Sequence, residues 1–255
     1  MKKPLLLFMF CSCLLANATL RAQTEQHFRA GVAAGVNLSQ IEGDAQQGYH
    51  KIGASIGVKG AYCFKPNFDL SAELLYNARG TRDNPFDDPY AADNKQLRLK
   101  ANLNYADVLL AANFHFAPDK DNNYYRQSLQ VGVSYGRLLS SSVAVKWSNF
   151  QDKLLADNIL DGLKKDDIAF VVGYSFFFTS RLGIAVKHGV SLRPIYDGSQ
   201  KQGASVASDY REFRPYNLTF QLVYNFVSPK LNVKSQVEKA LKAKEKRKKN
   251  PLEDL

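Results

Sequence analysis

A chain of 255 residues in which 12% of side chains are aromatic, with 13 Tyr and 16 Phe, has the length and composition of one large β domain. Its formal net charge of +10 sits at the ends. Lys2, Lys3 and Arg21 supply three charges, residues 230–255 hold nine Lys or Arg against four Asp or Glu, and the body is left near neutral. A basic balance confined to a leader and a tail excludes a nucleic-acid-binding face on the folded body.

At the N-terminus, Lys2 and Lys3 precede an apolar run from Leu5 to Leu15, followed by small residues at Ala16, Ala18 and Ala22. This is the pattern of a secretory signal peptide, cleaved after Ala18 or, by preference, after Ala22; the run is too short to span a membrane. Cys11 and Cys13 fall inside it, so the mature chain keeps Cys63 and has no disulfide framework. Cys63 reads as a small packing residue.

From Phe28 to Leu38, apolar residues alternate with small or polar ones, and the same alternation returns from Ile52 to Phe64. Lys65, Pro66 and Asn67 turn that strand into a third, where Leu70, Ala72, Leu74 and Tyr76 oppose Asp69, Ser71, Glu73 and Asn77. Residues 79–96 read as a polar loop. The stretch from Gln96 to Phe116 is extended, but its halves have opposite phase, which predicts a bulge near Asn104 or a strand rising out of the membrane with water on both faces. Ala117 to Asn123 connects to a fifth strand carrying Leu129, Val131, Val133 and Tyr135. Residues 140–166 are predicted as a loop whose middle, with Leu154, Leu155, Ile159 and Leu163 near helical spacing, forms a short helix over the strands. Strands six and seven follow, from Ile168 to Phe176 and from Leu182 to Leu192, then a loop over 194–211. The eighth, Leu218 to Phe226, is the most regular: Leu218, Phe220, Leu222, Tyr224 and Phe226 against Asn217, Thr219, Gln221 and Asn225.

Connections therefore alternate long and short, and each strand sets an apolar stripe against glycines, amides and charges. That is the pattern of an all-β, eight-stranded antiparallel transmembrane barrel in the outer membrane, with long external loops and both termini in the periplasm. A soluble β-sandwich is the alternative. The predicted division is signal peptide 1–22, barrel 23–227 and basic tail 228–255.

Gly31 to Ser39 (GVAAGVNLS), Leu70 to Gly80 (LSAELLYNARG), and a strand containing Tyr105 and Asp107 resemble the PorT-type small outer-membrane barrels. The resemblance covers roughly residues 28–226. It implies an eight-stranded barrel; PorT itself is associated with type IX secretion, and most members have no assigned activity.

In a narrow barrel the lumen is packed with side chains, so inward charges need partners. Lys59, Glu73, Asp107, Lys187 and Arg193 are expected to form a paired internal network, with Glu73 and Asp107 compensated by Lys59, Lys187 or Arg193; a proton or ion path is the sharper reading. Catalysis at the rim would need His beside Ser or Asp. His27 and His115 fall near the periplasmic end, His188 faces lipid, and His50 lies in a loop with Asp44. Asp83, Asp87 and Asp88 are loop acids that are solvated or bind Ca²⁺. No catalytic group and no cofactor is predicted. In the tail, Val233, Val237 and Leu241 recur every four residues, so it is a helix or a solvated extension. Lys239, Lys242, Lys244, Lys246, Arg247, Lys248 and Lys249 make it a candidate surface for a periplasmic protein, peptidoglycan or anionic lipid. The expected function is that of a non-enzymatic barrel in an envelope or secretion assembly, the alternative being external binding or solute handling.

Overall fold

The computed structural model describes residues 27–43, 48–82, 99–119, 121, 123–145, 157, 159–197, 212–228 and 242. Among these residues nine strands occur in chain order: β1 (Phe28–Glu42), β2 (Lys51–Lys65), β3 (Phe68–Thr81), β4 (Leu99–Asp119), β5 (Tyr124–Val145), β6 (Asp166–Phe177), β7 (Leu182–Ser191), β8 (Tyr196–Asp197) and β9 (Glu212–Val227). Each from β1 to β6 pairs antiparallel with the next, β7 pairs with β9, and β9 returns to β1, so eight long staves close a ring. Among the described residues the two-residue β8 pairs only with β9. Closure satisfies the backbone without leaving an edge in the hydrocarbon.

Alternation fixes what each face meets. Val32, Val36, Ile56, Val58, Leu74, Val108, Leu110, Val133, Phe220 and Leu222 all point outward and are at least 40% exposed. Fully burying one such side chain is worth about 1.5–3 kcal/mol, so leaving these ten about half exposed to water would forfeit on the order of 7–15 kcal/mol, comparable to the whole net stability of a typical domain. A hydrocarbon surround removes that cost, and a soluble sandwich with the same face outward does not. Aromatic rings mark both borders of the band. At the end carrying the termini, Phe28 meets Tyr62 at 5.2 Å, Tyr62 meets Phe64 at 4.8 Å, and Phe68 meets Phe114 at 5.1 Å between centroids. At the loop end Tyr49 meets Tyr216 edge-on at 5.3 Å. Tyr216 and Tyr224 are eight positions apart on β9, which at about 3.3 Å per residue and a strand tilt of about 40° puts the two girdles roughly 20 Å apart.

Three sequence expectations are revised. The register between β4 and β5 does shift at Asn104/Tyr105, yet β4 keeps one phase throughout: Ala101, Leu103, Tyr105, Asp107, Leu109, Ala111, Asn113 and His115 are all buried. The apparent reversal arises because the lumen turns from polar to apolar toward the loop end while the outside turns from lipid to water. Residues 140–145, predicted as loop, continue β5, since both faces of that segment are wet and no alternation betrays the strand. And β7 ends at Ser191, so Arg193 is exposed instead of lumenal.

Candidate functional site

Inward-facing side chains fill the ring in layers. At the terminal end, Arg29 of β1 donates to Asp69 Oδ2 at 2.8 Å, His115 Nε2 lies 2.7 Å from the same oxygen, and Asn113 donates to Asp69 Oδ1 at 2.6 Å. With both oxygens so engaged, Asp69 acts as an anchor joining β1, β3 and β4. In the middle layer, Lys59 approaches Glu73 Oε1 at 3.2 Å, Gln130 donates to that oxygen at 2.8 Å, and Lys187 reaches across the lumen to Oε2. Glu73 is 1% exposed. Toward the loop end, Arg79 bridges two carboxylates, Asp107 and, at 2.7 Å, Asp167, while Asn77 also donates to Asp107. The Arg79 guanidinium carbon stands 5.0 Å from the Tyr105 ring centroid, adding a cation–π contact.

Above these layers the lumen closes with an apolar core. Ile41, Ala101, Leu103, Tyr105, Ile195, Tyr196 and Phe213 are buried together with Ile159, which a helical turn at 159–162 delivers from the connection between β5 and β6. Leu138, Val143 and Leu163 pack against them. β8 belongs to this lid, its Tyr196 ring packing against Phe213 at 4.9 Å with a tilt of 33°. Glycines leave room for the polar layers: a Cβ on Gly173 would sit 3.1 Å from Lys187 Cγ and 3.2 Å from Gln130 Oε1. Between the middle and upper layers lies a cavity of about 30 Å³ bordered by Asn77, Asp107, Ser134, Lys187, Thr219 and Gln221. A water needs roughly 10–15 Å³ by this measure, so the space accepts about two and no organic solute.

Of the five residues predicted for the internal network, Lys59, Glu73 and Lys187 meet directly. Asp107 is lumenal, but its cation is Arg79 and none of Lys59, Lys187 or Arg193. Arg193 lies outside the lumen because its strand stops two residues earlier. Arg29, Asp69, Arg79 and Asp167 were missed. The phase of β3 already held the signal for one of them: Asp69, Ser71, Glu73 and Asn77 share a face, and two residues further that face reaches Arg79. His188 is exposed, with Nδ1 3.1 Å from the Asn217 carbonyl. Among the described residues no group of three or more His, Cys, Asp or Glu side chains is placed to hold a metal ion. Asp44, Asp83, Asp87 and Asp88 lie outside the described residues, as do Leu154 and Leu155. So does the tail, including Lys239, Lys244, Lys246, Arg247, Lys248 and Lys249, apart from Ser228 and Lys242.

Among curated proteins none matches the sequence. Solved structures give distant likenesses. Ail, the attachment invasion locus protein of Yersinia pestis, crystallised in complex with the heparin analogue sucrose octasulfate, aligns at 13% identity and a TM-score of 0.40 over 79% of this chain and all of its own. Neisserial surface protein A gives 11% and 0.37 over 80% of this chain and all of its own. OprG from Pseudomonas aeruginosa gives 12% and 0.37 over 79% of this chain and 95% of its own. At such scores they say nothing about ligands. A profile described as "Outer membrane protein beta-barrel domain" matches residues 21–226, the same span that closes into the ring with its apolar belt, and the chain therefore belongs to that family of outer-membrane barrels.

Proposed function

We propose that this barrel is a non-enzymatic membrane anchor for an envelope or secretion assembly, with both termini in the periplasm and the basic tail as its contact surface. The observation that supports the reading is the filled lumen. Ion pairs occupy its lower, middle and upper layers, an apolar core closes its loop end, and the space between the middle and upper layers is about 30 Å³. Such a barrel has little to conduct. The packed layers favour this reading over passage of a solute through the lumen, and the resemblance to PorT-type barrels points toward secretion.

The tail follows β9, which ends at Val227 on the same side as the start of β1. An even number of staves puts it in the periplasm if the chain enters from there, facing the cell wall, the inner leaflet and neighbouring subunits. Each Lys or Arg near an anionic membrane surface contributes about 1 kcal/mol before screening, and salt weakens it. The test is deletion of residues 228–255. Heat-shifted gel migration should persist, because strand pairing ends at Val227, while a salt-sensitive association recovered from native membranes should be lost. A truncated protein that keeps every co-purifying partner would refute the tail's role while leaving the barrel assignment intact.

A further inference from the structure

Three buried acceptors on three different staves have no hydrogen-bond partner among the described residues: Asn77 Oδ1 on β3, Asp107 Oδ1 on β4 and Gln221 Oε1 on β9. Their side chains all border the cavity of about 30 Å³ between the middle and upper layers. Turning the amides does not relieve them. Asn77 Nδ2 donates to Asp107 and Gln221 Nε2 donates to Ser55 Oγ at 2.8 Å, so a turned amide only exchanges an unmet acceptor for an unmet donor. Asp107 uses Oδ2 twice, for Asn77 and Arg79, and Gly136 keeps the space beside Oδ1 open, since a Cβ there would collide with it. Leaving a buried acceptor unmet costs the full penalty of its desolvation, and three of them around one space call for a shared donor.

Charge and size decide what that donor is. Below the cavity two lysines face one glutamate, and above it one arginine faces two aspartates, so the flanking layers carry opposite formal charges that cancel. A further ion of either sign would leave an unpaired charge out of water, and an anion would also face the three oxygens. A neutral molecule with hydrogens to give fits both conditions. At roughly 10–15 Å³ for each, the 30 Å³ volume holds about two waters. Ser134 and Thr219 stand in its wall, whereas cavities that stay empty are lined by apolar groups. The field between the layers also turns water hydrogens toward the negative upper layer, where Asn77 and Asp107 lie.

We propose that this cavity is a binding site for a pair of ordered water molecules, which join the closing stave β9 to the ion-paired layers. β9 turns Asn217, Thr219, Gln221, Val223 and Asn225 inward and brings no charge to the lumen. Its direct side-chain bonds run to β1 and β2, from Thr219 to Asn37 at 3.2 Å and from Gln221 to Ser55. The waters extend that reach to Asn77 on β3 and Asp107 on β4. Each water accepts from the protein or from the other water and donates to the three oxygens, so the middle and upper layers become one network. The Glu73 layer encloses the site below and the apolar lid above, and the site does not depend on the tail's role.

The test is NMR between water and protein on the full chain, isotope-labelled and held in lipid nanodiscs. Through-space cross-peaks from water to the side-chain amides of Asn77 and Gln221 are expected, with the sign of a bound water and not of proton exchange. Ala169 is buried and lines the cavity from β6, so Ala169→Val adds two methyl groups to the space and should abolish them. Filling a dry cavity stabilises a protein, whereas expelling these waters strands three acceptors, and the same variant should lower the folding constant in urea about tenfold or more. If Ala169→Val does not fold, the cross-peaks of the parent carry the test. Their absence from the parent, their persistence in a folded Ala169→Val, a raised folding constant in that variant, or amide shifts that saturate as sodium or potassium chloride is added would each overturn the proposal.

Discussion

Replacing Glu73 by alanine removes the one anion of the middle layer and leaves two lysines facing each other. In the intact barrel Glu73 takes Lys59 and Gln130 on Oε1 and Lys187 on Oε2, and the side chain of Lys187 is only 8% exposed against 17% for Lys59. Breaking a buried pair from one side costs about 3–5 kcal/mol, because the survivor stays desolvated without its counter-charge. Here two survivors also repel each other, which puts the expected loss at the upper end. Lys59, the more exposed of the two, recovers more water, so Lys187 bears most of the penalty. The exposed pair Asp166–Arg137, with side chains 50% and 51% exposed, supplies the control; Asp166→Ala should cost about 0–1 kcal/mol. Urea unfolding in detergent micelles, followed by the gel shift between folded and unfolded forms, measures both. A cycle with Lys187→Met adds a second check: the double variant should be more stable than Glu73→Ala alone, since it removes the stranded charge. If Glu73→Ala and Asp166→Ala lose the same small amount, the middle layer is not an ion-paired core and the reasoning fails.

Arg79→Ala should be at least as damaging as Glu73→Ala, about 3–5 kcal/mol, because it strands Asp107 and Asp167 together; urea titration of the refolded barrel measures it, and Arg79→Lys should rescue it only in part, one ammonium being a poor substitute for a guanidinium that bridges two carboxylates. Arg193→Ala should fall within about 0.5 kcal/mol of the parent, as expected for an exposed side chain outside the lumen, and a larger loss in the same titration would return Arg193 to the network.

Most of the architecture was legible because a membrane barrel writes its two environments into alternate residues. β9 shows it best, every second side chain from Leu218 to Phe226 meeting lipid. Legibility failed where the environments changed along a strand. Above the loop-end girdle, Asn102 and Asn104 face water while Leu103 and Tyr105 face an apolar lid, so the period persists with its polarity exchanged and looks like a slip in phase. Ser140 to Ser142 have water on one side and little packing on the other, and so carry no period at all. Within the lumen, phase alone correctly points Glu73, Lys59 and Lys187 inward, but which cation meets which anion depends on how far each strand is displaced along its neighbour. That is why Arg79 and not Arg193 holds Asp107: stagger, tilt and strand ends are set around the whole closed ring, and no local pattern reports them.

β3 carries a member of every charged layer, namely Asp69, Glu73 and Arg79, and each is tied to a stave that is not its neighbour: Asp69 to Arg29 on β1, Glu73 to Lys187 on β7, Arg79 to Asp167 on β6. Mechanically this makes β3 a hub with spokes. A ring held only by its rim can flatten under lateral pressure from the bilayer, because neighbouring strands hinge about their hydrogen bonds; spokes to β1, β6 and β7 oppose flattening along several diameters at once. The same geometry sets an order for assembly. Whichever end the sheet grows from, Glu73 meets Lys187 and Arg79 meets Asp167 only once the sheet has curled far enough to bring β3 opposite β6 and β7, so these groups lose their water in the same step that makes the cross-section round and rigid.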